Sequence, residues 1–324
     1  MISRRGLLGL GAVAGVLCVG GGAVAVGYSG EMAEADARVA PALSRIIPSR
    51  FGDLEYAEAG SGVPLLMVHG TGGGFDQGLL FTRRFSQAGY RVIAPSRFGY
   101  LRSSFPQDPS SENQADAFVD LLDALEIERV AIAGGSAGAL SAMAFAIRHP
   151  NRCAALLPLV PASYVPRTTP VQSVSPDQMQ VAMTILRSDF LFWLAITTMP
   201  DFLTQALLAT DPTVVKAAAP EEQERARLIL HSILPVSRRA DGLLNDARLA
   251  GDPAKMAIET ITAPTLAVSY EDDRFGTAAA ARYIGEHVPG ARVQVYADGG
   301  HIGIGHDQES FTLIDSFLRA IDYA

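Results

Sequence analysis

The stretch Val130-Ala131-Ile132-Ala133-Gly134-Gly135-Ser136-Ala137-Gly138-Ala139-Leu140 restricts what this chain can fold into. An apolar run ends in Gly-Gly-Ser-Ala-Gly and passes directly into an Ala-rich helical pattern. That reads as a strand, a sharp turn and a helix, with the serine held strained and exposed at the edge of a sheet. Strand and helix converge closely at such a turn, which is why small residues, Gly134 and Gly138, flank Ser136. A phosphate-binding turn, or plain strand–helix packing, uses the same residues, so the rest of the chain has to decide.

The surrounding pattern is that of a parallel sheet. Residues 51–60 alternate and end in Gly-Ser-Gly, as a short hairpin does. A buried strand is predicted at Pro64–Val68, strands at Arg91–Pro95 and Ala154–Val160, and strand-like runs at Pro264–Ser269 and Arg292–Tyr296. Helices are predicted between them at Phe75–Ala88 and around the stripe Ala117, Phe118, Leu121, Leu122 and Leu125, with a closing helix at Gln308–Ile321. Strands alternating with amphipathic helices imply right-handed crossovers. The rhythm breaks between 163 and 261, where only helical pieces punctuated by prolines occur. That is too much for an ordinary loop, so it reads as a helical lid inserted after the sixth strand. The core is then 51–162 together with 262–324.

A net charge of −8 and the lack of a basic stripe argue against nucleic acid as a partner. Of the two cysteines, Cys18 and Cys153, one falls in the N-terminal apolar run, so the domain has no internal disulfide and Cys153 reads as buried filler. Arg4-Arg5 precede a Gly-, Ala- and Val-rich run reaching Tyr28. Residues 1–30 therefore read as a twin-arginine export signal or as a membrane anchor with the arginines left in the cytoplasm. Residues 31–50 read as a linker, in which Ala33–Pro48 is either a polar helix or a plain connection to the domain. The expected location is extracytoplasmic, either free or attached to the membrane through this segment.

A serine nucleophile needs a base, and the base needs an orienting acid. Among the six histidines, His301 sits in Asp298-Gly299-Gly300-His301, directly after the last predicted strand, where a glycine-flanked loop reaches the sheet's carboxyl edge. His306 is its competitor. Glu271, Asp272 and Asp273 follow the penultimate strand at the same edge, and one of the three is the expected acid. The order Ser, acid, His is that of α/β-hydrolases. Oxyanion donors are expected from the N–H of Ala137 and from Thr71 or Gly72 in the turn His69-Gly70-Thr71-Gly72-Gly73-Gly74, with Thr71 favoured. That turn lacks the Lys-Ser/Thr of a nucleotide site.

Taken together, His-Gly before the Gly-rich turn, the Ser136 elbow, Asp-Asp-Arg-Phe at 272–275 and Gly-Gly-His at 299–301 resemble the α/β-hydrolase superfamily over about residues 50–322. The resemblance implies the α/β-hydrolase fold, a mostly parallel doubly wound sheet with a helical lid. It assigns the acid to Asp273, although Tyr270 stands where a glycine is usual and Gly276-Thr277 where Val-Pro is common, which leaves Asp272 as second choice. No metal and no cofactor are implied.

Ser136, in place of an aspartate nucleophile, is incompatible with dehalogenase or epoxide hydrolase chemistry. The expected activity is hydrolysis of a small apolar carboxylic ester. Alternatives are a C–C hydrolase of ring-fission diketones, a proline-releasing aminopeptidase, and a ligand-binding protein of the same fold without turnover. The apolar lid stretch 190–196 offers Phe192 and Trp193 as candidate pocket residues, against ordinary lid packing.

Overall fold

A computed structural model describes residues 21–166, 181 and 183–323. Its strands are β1 Arg45–Ser49, β2 Gly52–Ala59, β3 Val63–Val68, β4 Tyr90–Pro95, β5 Val130–Gly135, β6 Cys153–Leu159, β7 Leu266–Tyr270 and β8 Arg292–Tyr296. They form one eight-stranded sheet in the order β1-β2-β4-β3-β5-β6-β7-β8. Only β1 on β2 and β2 on β4 pair antiparallel.

The crossover helices cover both faces, so the central strands are continuous apolar runs without an outward polar register. Helices α4 (Ser111–Ala124), α5 (Gly138–Arg148) and α11 (Thr277–His287) cover one face. Their Phe118, Leu121, Met143, Phe145, Ala281 and Ile284 pack with Leu66, Ile93 and Ile132 of the strands. On the other face lie α3 (Arg83–Gln87), which follows α2 (Phe75–Phe81), and α12 (Asp307–Ala320). There Phe85, Ile314, Phe317 and Leu318 pack with Leu65, Met67 and Val92. The chain leaves β3 toward α2 and α3 but leaves β5 toward α5, on the opposite face. A crevice therefore opens at the carboxyl ends of β3 and β5, the usual ligand position in open α/β sheets.

Between β6 and β7 the described chain is helical: α6 Asp189–Thr198, α7 Pro200–Leu207, α8 Pro212–Ala217, α9 Pro220–His231 and α10 Ala240–Gly251. Their inner faces form a separate apolar cluster built on Phe192, Trp193, Ile196, Leu203, Ile229 and Leu230.

The N-terminal division differs from expectation. Helix α1 (Gly21–Arg38) runs through the boundary placed at residue 30, and β1 lies within the supposed linker. Helix α1 packs on this helical segment, the one expected as a lid. Ala35 is fully buried in the lid cluster, and the Tyr28 ring lies 5.3 Å from Phe190 and 5.4 Å from Trp193. Glu31 meets His231 at 3.0 Å, Asp36 meets Arg238 at 2.9 Å, and Arg38 donates to the His231 carbonyl at 3.0 Å. The segment looked like a linker because its apolar contacts are few and its polar ones go to residues some two hundred positions away. The arginine pair and most of the apolar run lie outside the described residues. Among those described, no single helix is long and apolar enough to cross a membrane.

Candidate active site

Ser136 sits between β5 and α5 with φ at 50°, a left-handed conformation that costs a non-glycine residue about 1–3 kcal/mol. Its backbone is pinned on three sides. Its N–H donates to the Leu159 carbonyl at 2.9 Å, and its own carbonyl accepts from Ala139 and Ala162 at 3.0 Å each. The glycines around it differ in kind. A Cβ on Gly134 would come within 2.7 Å of Ala139 and Ala142, and one on Gly138 within 2.5 Å of the His69 carbonyl. A Cβ on Gly135 would meet only the Met67 methyl at 3.6 Å and the Val68 carbonyl at 3.9 Å, so that glycine leaves room beside the serine.

Asp273 and His301 come together from the ends of β7 and β8. His301 Nδ1 lies 2.8 Å from Asp273 Oδ2. The carboxylate also accepts from the Phe275 N–H at 2.9 Å and from the Thr277 hydroxyl, which in turn meets Ser269 Oγ at 2.8 Å. Burial works to raise the Asp273 pKa, but His301, Thr277 and the Phe275 N–H outweigh it and hold the carboxyl below its ordinary value. Thr277, a departure from the usual pattern, thus supplies an acceptor-satisfying hydroxyl. Asp272 faces elsewhere and accepts from the N–H groups of Gly299 and Gly300 at 3.3 and 2.8 Å, which fastens the loop that carries His301. His306, the competing base, is engaged with Asp298 and Glu309 at 2.8 and 2.9 Å.

The 69–74 turn approaches the elbow closely: a Cβ on Gly70 would lie 3.1 Å from Ser136 Cβ. Thr71 lines the cavity over Ser136, whereas the Gly72 N–H donates to the Tyr100 hydroxyl at 3.2 Å. Gly72 is therefore committed behind the turn, and of the two candidate donors it is Thr71 that lines the cavity, next to Gly70. Ala137 caps α5, where the first N–H groups of a helix lack intrahelical partners. His69 is fully buried. Burial and the nearby Arg97 guanidinium hold its pKa well below the ordinary value, so the ring is neutral. Its Nε2 accepts from the Arg97 N–H at 3.0 Å, which leaves the proton on Nδ1, facing the Gly70 carbonyl at 2.7 Å.

Ser136 and His301 line one cavity of about 300 Å³. Its walls include Phe81, Phe85, Phe311 and Ile314 from α2, α3 and α12, and Leu207 and Ile229 from the lid. Two guanidinium groups reach it, and both are neutralised. Arg84 pairs with Asp307 and donates to Gln308 at 2.7 Å. Arg225 pairs with Glu222 at 2.7 Å and donates to the carbonyls of Ile302 and Gly303, each at 2.9 Å. Phe192 and Trp193, the candidate pocket residues, do not reach this cavity. They are 1% and 5% exposed in the lid's own cluster, with Trp193 against Tyr28, because their helical spacing serves packing between lid helices and α1. Of the residues that sequence reasoning did not assign, Arg97, Tyr100 and Asp246 have partners far along the chain that no local spacing announces, whereas Arg225 and Thr277 meet the nearby Glu222 and Asp273. Cys153 is buried in β6, which pushes its thiol up to about 12 and leaves it unreactive.

The family model for the alpha/beta hydrolase fold matches residues 63–305, and the chain belongs to that family. It is 37% identical over 145 residues to a 2-hydroxy-6-oxononadienedioate/2-hydroxy-6-oxononatrienedioate hydrolase of Paraburkholderia xenovorans, covering 39% of this chain and 49% of that one. A protein of the same name from Cupriavidus pinatubonensis is 28% identical over 279 residues, covering 80% and 89%. The matches to the first curated relatives span only about a third to a half of their length. Among solved structures, a membrane phospholipase A described as a bacterial virulence factor superposes with a TM-score of 0.63 at 22% identity, covering 99% of this chain and all of that one. At that identity the likeness concerns the fold, α1 included.

Proposed function

We propose that the chain is a serine hydrolase acting on small apolar carboxylic esters. Ser136 attacks the ester carbonyl while His301 accepts its proton through Nε2, and Asp273 stabilises the imidazolium that forms. The N–H groups of Thr71 and Ala137 receive the charge developing on the carbonyl oxygen. Collapse of the tetrahedral intermediate breaks the C–O bond, and His301 returns the proton to the departing alcohol. Water, deprotonated by His301, then releases the acid from the acyl-serine.

The observation that carries this reading is the cavity's electrostatics. Its walls are mostly apolar, and the two guanidinium groups among its described lining residues are already paired with carboxylates. A dianionic substrate would have to be desolvated there without a free counter-charge, which is costly, whereas a neutral ester is not penalised. The second reading, a C–C hydrolase of ring-fission products, is favoured by the names of the curated relatives. Both use the same triad and differ in what the cavity accepts. A panel of aryl and alkyl esters, a ring-fission dienedioate and aminoacyl amides separates them. Ester turnover is expected from wild type and is expected to be lost in Ser136→Ala. Turnover of the dienedioate with none on esters reverses the assignment.

The segment ahead of α1 fits an address for export or attachment to the membrane. Fractionation of cells expressing the full chain and an Arg4→Lys, Arg5→Lys variant tests this. Retention of the variant alone in the cytosol is expected for the export address, and equal membrane recovery of both for the anchor. Recovery of the full chain in the cytosol would remove the proposal.

A further inference from the structure

Behind the 69–74 turn, two buried guanidinium groups and a tyrosine tie the turn to the lid. Arg97, in the loop after β4, reaches both carboxylate oxygens of Asp246 at 2.7 and 2.6 Å and donates to the carbonyls of His69 and Gly70 at 2.9 and 3.1 Å. The Tyr100 hydroxyl donates to Asp246 at 2.5 Å and accepts the Gly72 N–H at 3.2 Å. Arg239 binds the Gly73 carbonyl and Asp76 from the other side. Arg97, Tyr100 and Asp246 are 7%, 0% and 2% exposed. Asp246 lies on α10 and Arg239 directly before it, both within the inserted helical segment.

A buried, fully hydrogen-bonded ion pair is a poor way to gain stability, since apolar residues of the same volume often serve as well or better. What this arrangement supplies is orientation. The carbonyls of residues 69, 70 and 73 and the N–H of residue 72 are all anchored, so the peptide of Thr71 between them is held in one attitude toward Ser136. Electrostatic stabilisation of a transition state depends on donors being aimed before the reaction starts.

We infer that Tyr100 and Asp246 are positioning residues for the oxyanion donor. Acting through Gly72 and Arg97, they make the lid a structural part of the oxyanion hole as well as a cover for the cavity. This rests on the acyl-transfer reading above.

The test is Tyr100→Phe, which keeps the ring against His69 (4.7 Å between centroids) and removes only the hydroxyl. The expected result is a kcat about tenfold lower, part of what losing an oxyanion donor costs, with KM within about twofold. Affinity for an alkylboronic acid, which forms a tetrahedral adduct on the serine, should weaken in parallel with kcat/KM, with the melting temperature near that of wild type. Unchanged kcat and boronate affinity, or a rise in KM alone, would overturn the inference. Asp246→Asn is the stronger variant, expected to lose more because it also leaves the Arg97 charge uncompensated. If it does not fold, Tyr100→Phe still decides. Boronate affinity is read whether or not the chosen esters turn over, so failure of the ester reading and failure of this one are separate results.

Discussion

Asp272 and Asp273 are neighbours in the chain, yet they serve different ends of one loop. Asp273 faces the imidazole and Asp272 faces the backbone of the loop that carries it. On the proposed mechanism, Asp273→Asn keeps the shape but removes the charge that stabilises the imidazolium and favours the wrong tautomer. The expected loss in kcat is about three to four orders of magnitude, read by single-turnover kinetics. Asp272→Asn keeps one acceptor oxygen for the glycine N–H groups and should cost about tenfold or less. Equal losses would mean that the loop's position, not the charge on Asp273, limits the rate. From sequence, both were acids after a strand. The choice between them came from resemblance, because a one-residue step in a turn changes where a side chain points, and composition does not record it.

At the scale of elements, the predicted strands correspond to the observed ones to within a few residues: the central ones because burial on both faces writes itself as unbroken apolar runs, β2 and β8 through their alternating sequences. The exception is β1, whose half-exposed pattern on the sheet's edge carries no such signal. The loop from Gly299 to His306 was legible for His301 and not for its supports. His306 stacks near Tyr296 and Tyr270, with Asp298 and Glu309 against its two ring nitrogens. Burial pulls the His306 pKa down, but the two carboxylates outweigh it and hold it above its ordinary value. A raised folded pKa contributes stability that is fully present below the unfolded value of about 6.5 and is lost as pH rises through the folded one. His306→Gln should therefore lower the melting temperature at about pH 6 and leave it nearly unchanged at about pH 9. Thermal denaturation of both proteins at the two pH values checks this, and a gap that widens with pH would contradict the assignment.

For the molecule as a whole, the unexpected contact is that of α1 with the lid. Tyr28 sits against Phe190 and Trp193, and the two ion pairs of Glu31 and Asp36 tie α1 to lid segments that end near the cavity wall at Ile229. Tyr28→Ala removes two aromatic contacts and should destabilise the lid by about 1–3 kcal/mol. Amide exchange would read this as lost protection in α6 and α9 with the sheet strands unchanged. A uniform loss across the sheet would mean that lid and core unfold as one unit.

By itself, the sequence determined the sheet from β2 onward, the strand–turn–helix at Ser136, the loop with His301 and the place of the helical insertion. These depend on local rules: periodicity, glycines where backbones converge, and strand ends that share one edge. The tertiary structure alone decided what Asp272 holds, that Thr71 and not Gly72 lines the cavity, that Phe192 and Trp193 pack among the inserted helices, and that Arg97 meets Asp246. Each of these is a contact between residues distant in the chain or a choice of side-chain direction. Their energies depend on burial and on partners that no neighbouring residue specifies.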